Sequence, residues 1–158
     1  MKSRIDYTRV SPKAVQALFG LQAQVNASGL EPALLHLVEM RASQINGCAY
    51  CLDMHSKDAR VAGETEQRLY LLDAWREAPF YTERERAALA WTEAVTRVTD
   101  GHVPDAVYAD VSDHFTEEEL VSLTLAVIAI NGWNRASIAF RVEAGGYRPG
   151  MSKQVRTA

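Results

Sequence analysis

The segment from Thr116 to Gly146 constrains the fold more than any other part of the chain. Thr116-Glu117-Glu118-Glu119 has the form of a capping box, with Thr116 as N-cap and Glu119 three residues later. Behind it, Leu120 to Ile130 is apolar almost all round, interrupted by Ser122 and Thr124. A helix that is apolar on every side must be buried. This helix is therefore expected at the centre of the molecule, from Glu117 to about Ala144, with Gly145-Gly146 as its stop. The apolar run is too short to cross a bilayer, which takes about 18 residues or more.

The rest of the punctuation is also helical. After an extended lead-in over residues 1–10, Ser11-Pro12 opens a helix to about Asn26. Its stripe of Leu18, Leu21, Gln22 and Val25 makes the inner face partly polar. Glu31-Pro32 opens a second helix to about Ile45, apolar on most sides through Leu34, Leu35, Leu37, Val38 and Met40. Asn46-Gly47 breaks it, and residues 49–61 form a third helix that Gly63 ends. Thr65-Glu66 starts a fourth, with Leu69, Leu71, Leu72 and Trp75, which breaks before Pro79. Thr82 and Glu85 make another capping box, and the helix behind it carries Trp91 and Glu93 to about Asp100-Gly101. A short helix follows from Pro104 to about His114. No segment of four to eight residues alternates as a strand does. Six or seven helices predict an all-α bundle in a single domain, residues 1–158, with a core of about 11–145 and a loose tail over 147–158.

With 158 residues the chain can bury a core without disulfide staples. Its net charge of −3 and scattered basic residues give no nucleic-acid footprint. The N-terminus lacks the apolar core of a signal peptide, and no apolar run spans a membrane, so the expected location is cytoplasmic. In a reducing compartment a lone cysteine pair points to catalysis, redox chemistry or metal binding rather than to a staple.

That pair is Cys48 and Cys51, with His55 four residues on. Both cysteines are expected in the first turn of the third helix. At about 100° per residue, Cys51 lies about 60° and His55 about 20° from Cys48, so all three share a face. A thiol there feels the positive helix end, and an imidazole one turn away can take its proton. Without βαβ patterning a thioredoxin-like domain is excluded. Three readings of the pair remain. In a redox dithiol, Cys51 is the better nucleophile because His55 lies at i+4, and Cys48 resolves. Asp58 could orient or charge His55, or be plain solvated surface. A zinc site would draw on both cysteines and His55, but four ligands are usual, and His36, His102 and His114 are isolated in sequence. In the third reading both cysteines are small buried hydrophobes. Asn131, Asn134 and Arg135, just after the apolar run, need partners, from neighbouring helices, a subunit interface or the thiol pocket. Trp91 is expected in the core.

Residues 43–55, Ser-Gln-Ile-Asn-Gly-Cys-Ala-Tyr-Cys-Leu-Asp-Met-His, resemble the core motif of the carboxymuconolactone decarboxylase superfamily in its alkyl hydroperoxidase D-like (AhpD-like) branch. Residues 85–94 and 130–135 are similar to segments of its short single-domain members. The resemblance implies an AhpD-like helical bundle that assembles into trimers or hexamers. It implies a peroxidase that reduces organic hydroperoxides through a dithiol/disulfide cycle, with no organic cofactor or metal. It implies Cys51 as the peroxidatic and Cys48 as the resolving cysteine, His55 as proton relay, and a dithiol or lipoylated protein as reductant. Characterised peroxidases of the branch have a glutamate twelve residues before the first cysteine. This sequence has His36 there, and Glu39, one turn on, is the acid that can substitute. Tyr50 stands where they often carry a histidine. Two alternatives remain: a redox-sensing or scaffold oligomer without catalysis, and a lactone enzyme like the decarboxylases, which typically lack the cysteine pair.

Overall fold

A computed structural model describes residues 2–150. Among them are eight α-helices and one 3-10 turn, and no strand. They are α1 (Tyr7–Val10), α2 (Pro12–Asn26), α3 (Pro32–Asn46), α4 (Ala49–Val61), α5 (Glu66–Leu71), α6 (Glu83–Thr96), α7 (Asp105–His114) and α8 (Glu117–Phe140), with the 3-10 turn Leu72–Ala74 after α5. The all-α architecture is as expected. No described helix is long and apolar enough to cross a membrane.

Both capping boxes form. The Thr82 hydroxyl accepts from the Glu85 amide and that of Thr116 from the Glu119 amide, each at 3.2 Å. The two acids return to the cap amides at 2.8 Å. Arg84 joins the two helix starts, its guanidinium 2.7 Å from Glu119 and stacked over Phe115.

Helices α3 and α8 cross at the centre, and α2, α4 and α6 pack around them. One apolar cluster joins Leu34, Val38, Trp91, Leu123 and Val127. A second joins Leu37, Met40, Ala59, Leu72 and Leu89. Leu37, Leu72, Leu89 and Leu123 are fully enclosed, and each such leucine stabilises by about 2 kcal/mol. Trp91 packs in the first cluster and donates its indole N–H to Thr124 Oγ1 at 3.1 Å. The outer face of α8 leaves Val121, Leu125, Ile128 and Ile138 exposed, so the helix is less enclosed than its composition suggested.

Four boundaries differ from expectation, the first being α5, which gives way at Leu71 to the 3-10 turn instead of running on past Trp75 towards Pro79. Helix α8 stops at Phe140 rather than Ala144, because Arg141 takes a left-handed conformation (φ 56°) and Val142 N–H returns to Ser137 O at 2.9 Å. Its last carbonyls are claimed by the lead-in: Arg4 donates to Phe140 O at 3.0 Å from its amide and to Ala139 O at 2.9 Å from its guanidinium. The lead-in is itself partly helical, since Asp6 caps α1 and the Tyr7 ring packs 5.3 Å from Phe140. Helix α6 ends at Thr96, where Val98 is exposed and a further turn would bury nothing apolar. Tyr147, expected in a loose tail, is buried and donates its hydroxyl to Asp58 at 2.8 Å. Residues 151–158 lie outside the described residues.

Candidate active site

The site starts at the elbow between α3 and α4. Gly47 adopts φ +66°, a left-handed conformation that costs glycine little. Its neighbour Cys48 returns its amide to Ser43 O at 3.0 Å. This closes α3 in a Schellman-like turn and reverses the chain at once into α4. Cys48 is the N-cap of α4, one position before the first turn where it was expected, and Cys51 is the third helical residue. Both are buried at 1% exposure. Their sulfurs are paired as a disulfide, with the Cα atoms 5.4 Å apart.

The elbow is locked to α8 by a polar cluster. Asn46 donates through Nδ2 to Asn131 Oδ1 at 3.0 Å and Asn134 Oδ1 at 2.9 Å. Asn134 Nδ2 donates to Ser43 Oγ at 3.0 Å. Asn131 Nδ2 donates to Thr96 Oγ1 at 3.0 Å, and the exposed Arg135 braces Asn131 from solvent. The two asparagines of α8 thus find partners on neighbouring helices, whereas Arg135 bonds within α8. Asn46, which from sequence was only a helix breaker, is the donor that ties α3 to α8.

One turn beyond Cys51, His55 is buried, and its Nδ1 lies 3.0 Å from Glu39 Oε2 on α3. Glu39 is enclosed at 7% exposure, not on the surface. Its other oxygen accepts from Gln22 Nε2 at 3.1 Å, and Gln22 Oε1 accepts from Trp133 Nε1 at 3.2 Å. The amide is therefore oriented from both ends. His36, isolated in sequence, is not isolated in space: its Nδ1 lies 3.8 Å from Glu39 Oε2. Both His36 Nδ1 and His55 Nε2 are buried without a hydrogen-bond partner among the described residues.

Burial by itself pushes the Glu39 carboxyl up, but the His55 charge and hydrogen bond, the His36 charge and the Gln22 amide outweigh it, and the carboxyl sits below its usual range. Burial pushes the His55 ring down, and the charge and hydrogen bond of Glu39, with the charge of Asp58, carry it above its usual value. Asp58 acts on His55 only through its charge, since its carboxylate is taken by the Tyr147 hydroxyl. With Nδ1–H donated to Glu39, the neutral ring presents Nε2 as an acceptor.

The structure thus pairs Cys48 with Cys51 at the start of α4 and, one turn further along α4, His55 with Glu39 of α3. Sequence reading missed Gln22, Asn46, Ser43 and Trp133 as supports. The polar stripe on α2 was the available signal for Gln22. Two surface hollows, of about 400 and 300 Å³, lie along α8 and include none of the four site residues.

Comparison with known proteins bears on the family and the fold. The sequence profile described as the carboxymuconolactone decarboxylase family matches residues 12–94. The uncharacterized protein YdfG of Bacillus subtilis (strain 168) is 42% identical over 139 residues, which cover 88% of this chain and 95% of YdfG. A crystal structure from Agrobacterium tumefaciens, of a protein of unknown function named as a candidate antioxidant defence protein AhpD, superposes with a TM-score of 0.89 at 45% identity, covering 92% of this chain and 100% of that one. The debrominase Bmp8 superposes with a TM-score of 0.79 at 21% identity, over 88% of this chain and 75% of its own, which shows a shared fold. With the profile spanning more than half its length and a relative similar almost end to end, the chain belongs to the carboxymuconolactone decarboxylase family, with the AhpD-like fold.

Proposed function

We propose that the protein is a thiol-dependent peroxidase acting on organic hydroperoxides through Cys51 and Cys48. The observation that carries this reading is the His55 Nδ1 to Glu39 Oε2 contact of 3.0 Å, which frees Nε2 on the helix whose start holds both cysteines. The similarity to a candidate antioxidant defence protein supports it.

In the reduced dithiol, the Cys51 thiol gives its proton to His55 Nε2, and Glu39 stabilises the imidazolium. The thiolate attacks the distal oxygen of the hydroperoxide. An S–O bond forms as the O–O bond breaks, and the leaving alkoxide takes the proton from His55 and departs as the alcohol. Cys48 then attacks the Cys51 sulfenic acid, forming the disulfide and releasing water. An external dithiol, free or carried as a lipoyl group on a partner protein, returns two electrons through a mixed disulfide. The trimeric or hexameric assembly belongs to the same proposal and is read by sedimentation of the purified chain.

The test is hydroperoxide consumption with thiol titration, first at one equivalent and then with dihydrolipoamide in excess. Wild type is expected to lose two thiols per peroxide and to turn over. Cys48→Ser should complete one reduction and stop at the sulfenic acid. His55→Ala should slow the reaction by about a hundred- to ten-thousandfold. If Cys51→Ser consumes peroxide as fast as wild type, the reading is wrong. One oxidation without turnover would make the pair a sensor.

A further inference from the structure

The peroxidase reading uses Glu39 and His55 and leaves His36 without a task. His36 and Glu39 are three apart on α3 and so share a face. Packing of α4 against that face brings His55 to the same point. One ligand atom from each of the three side chains lies within 4.8 Å of the other two, and none of the three is exposed. Metal–ligand bonds of about 2.1 Å place adjacent donor atoms about 3 to 3.5 Å apart. The His55–Glu39 pair is already at that spacing, and His36 Nδ1, at 3.8 Å, is nearly so. The Nδ1 of His36 faces the carboxylate without a hydrogen bond among the described residues, on a side chain 21% exposed.

We propose that His36, Glu39 and His55 form a binding site for a divalent transition-metal ion of the zinc class. Two imidazoles and one carboxylate suit zinc, cobalt or ferrous iron, whereas calcium and magnesium prefer all-oxygen sets. Three protein ligands leave a coordination position open, as in catalytic rather than structural zinc sites. Surrounding support is in place: Gln22 holds Glu39 Oε1, which leaves Oε2 as the single donor oxygen, and Trp133 fixes the Gln22 amide. An ion on His55 Nδ1 would leave the proton on Nε2, so the ring could no longer accept one from Cys51. Bound metal would therefore silence the thiol. That consequence rests on the peroxidase reading, but the binding of the ion does not.

The experiment is titration of the untagged, chelator-treated chain with Co²⁺, followed by Zn²⁺ competition. It is carried out on the disulfide form, in which the sulfurs cannot act as thiolate ligands. One Co²⁺ per chain is expected, with a d–d absorption band that Zn²⁺ abolishes. Gln22→Leu should weaken binding by about ten- to a hundredfold. His36→Ala should weaken it at least as much, and His114→Ala should leave it unchanged. Imidazole proton signals of wild type, followed by NMR during Zn²⁺ addition, give a readout that needs no variant: those of His36 and His55 should shift together. The proposal is overturned if the disulfide form shows no saturable binding, if ions bind only after reduction, if His36→Ala binds like wild type, or if those imidazole signals stay in place. Peroxide turnover by metal-free protein is measured separately and decides the peroxidase reading on its own.

Discussion

Gly47 does at one residue what the α3–α4 elbow needs, turning the chain left-handed between the last helical carbonyls of α3 and the Cys48 amide. A Cβ built on it meets nothing within 4 Å, so the cost of a side chain here is backbone strain alone. Gly47→Ala is expected to destabilise the protein by about 1 kcal/mol, read as a lower urea midpoint with an unchanged slope. The Cys48–Cys51–His55 spacing was legible because helical periodicity alone places Cys51 and His55 one turn apart. Glu39 was singled out as the acid able to take the place of the family's glutamate, but its pairing with His55, and the place of His36 beside it, were not legible. Periodicity puts His36 and Glu39 on one face of α3, but only the packing of α4 makes Glu39 Oε2 the nearer partner of His55, with His36 beside it.

At the scale of elements, the starts of the main helices were legible, as were the ends of α2, α3, α4 and α7, whereas α5, α6 and α8 end earlier than expected. A capping box is a local contact among four residues, so Thr82–Glu85 and Thr116–Glu119 could be read directly. The end of α8 is set by the left-handed turn at Arg141, a residue type that does not announce one, and its last carbonyls are taken by Arg4, far away in sequence. The contact between α3 and α8 is likewise long-range. Asn134 is fully buried and bonds both Asn46 and Ser43. Asn134→Ala removes the partner of Ser43 Oγ and one of the two acceptors of Asn46 Nδ2, and opens a cavity. It is expected to cost about 1–3 kcal/mol for the unpaired polar atoms, with the cavity adding to that, as measured by chemical denaturation. An unchanged midpoint would mean that the cluster does not brace the elbow.

Across the whole molecule, one buried carboxylate joins three parts of the chain. Glu93 on α6 accepts from Arg41 Nε on α3 at 2.8 Å, from Trp75 Nε1 just past the 3-10 turn at 2.8 Å, and from Arg76 Nη1 at 2.7 Å. Arg41 also reaches Asp73. Burial pushes the Glu93 carboxyl up, but these donors and the Arg41 charge outweigh it and hold the carboxyl below its ordinary value of 4.5. A carboxyl whose folded pKa is depressed adds stability that is fully present above its unfolded value and is lost as pH falls through the folded one. The urea midpoint should therefore drop as pH falls below 4.5. Glu93→Gln should lower it at neutral pH and flatten that acid decline. Equal acid slopes in the two proteins would remove Glu93 from the cause.

The sequence by itself determined the helical class, the order of the main helices, the central place of the α8 segment and the cysteine–histidine motif. All of these rest on contacts within a few turns of chain, where 3.6-residue periodicity and capping chemistry suffice. The tertiary structure alone decided that Glu39 pairs with His55, that Gln22 and Trp133 hold that acid, that three asparagines and Ser43 fasten the elbow, and where α8 stops. Except for the stop of α8, which a left-handed Arg141 makes locally, each of these is a hydrogen bond between residues far apart in the chain. Its partner is chosen by how the helices pack, and no local pattern encodes that choice.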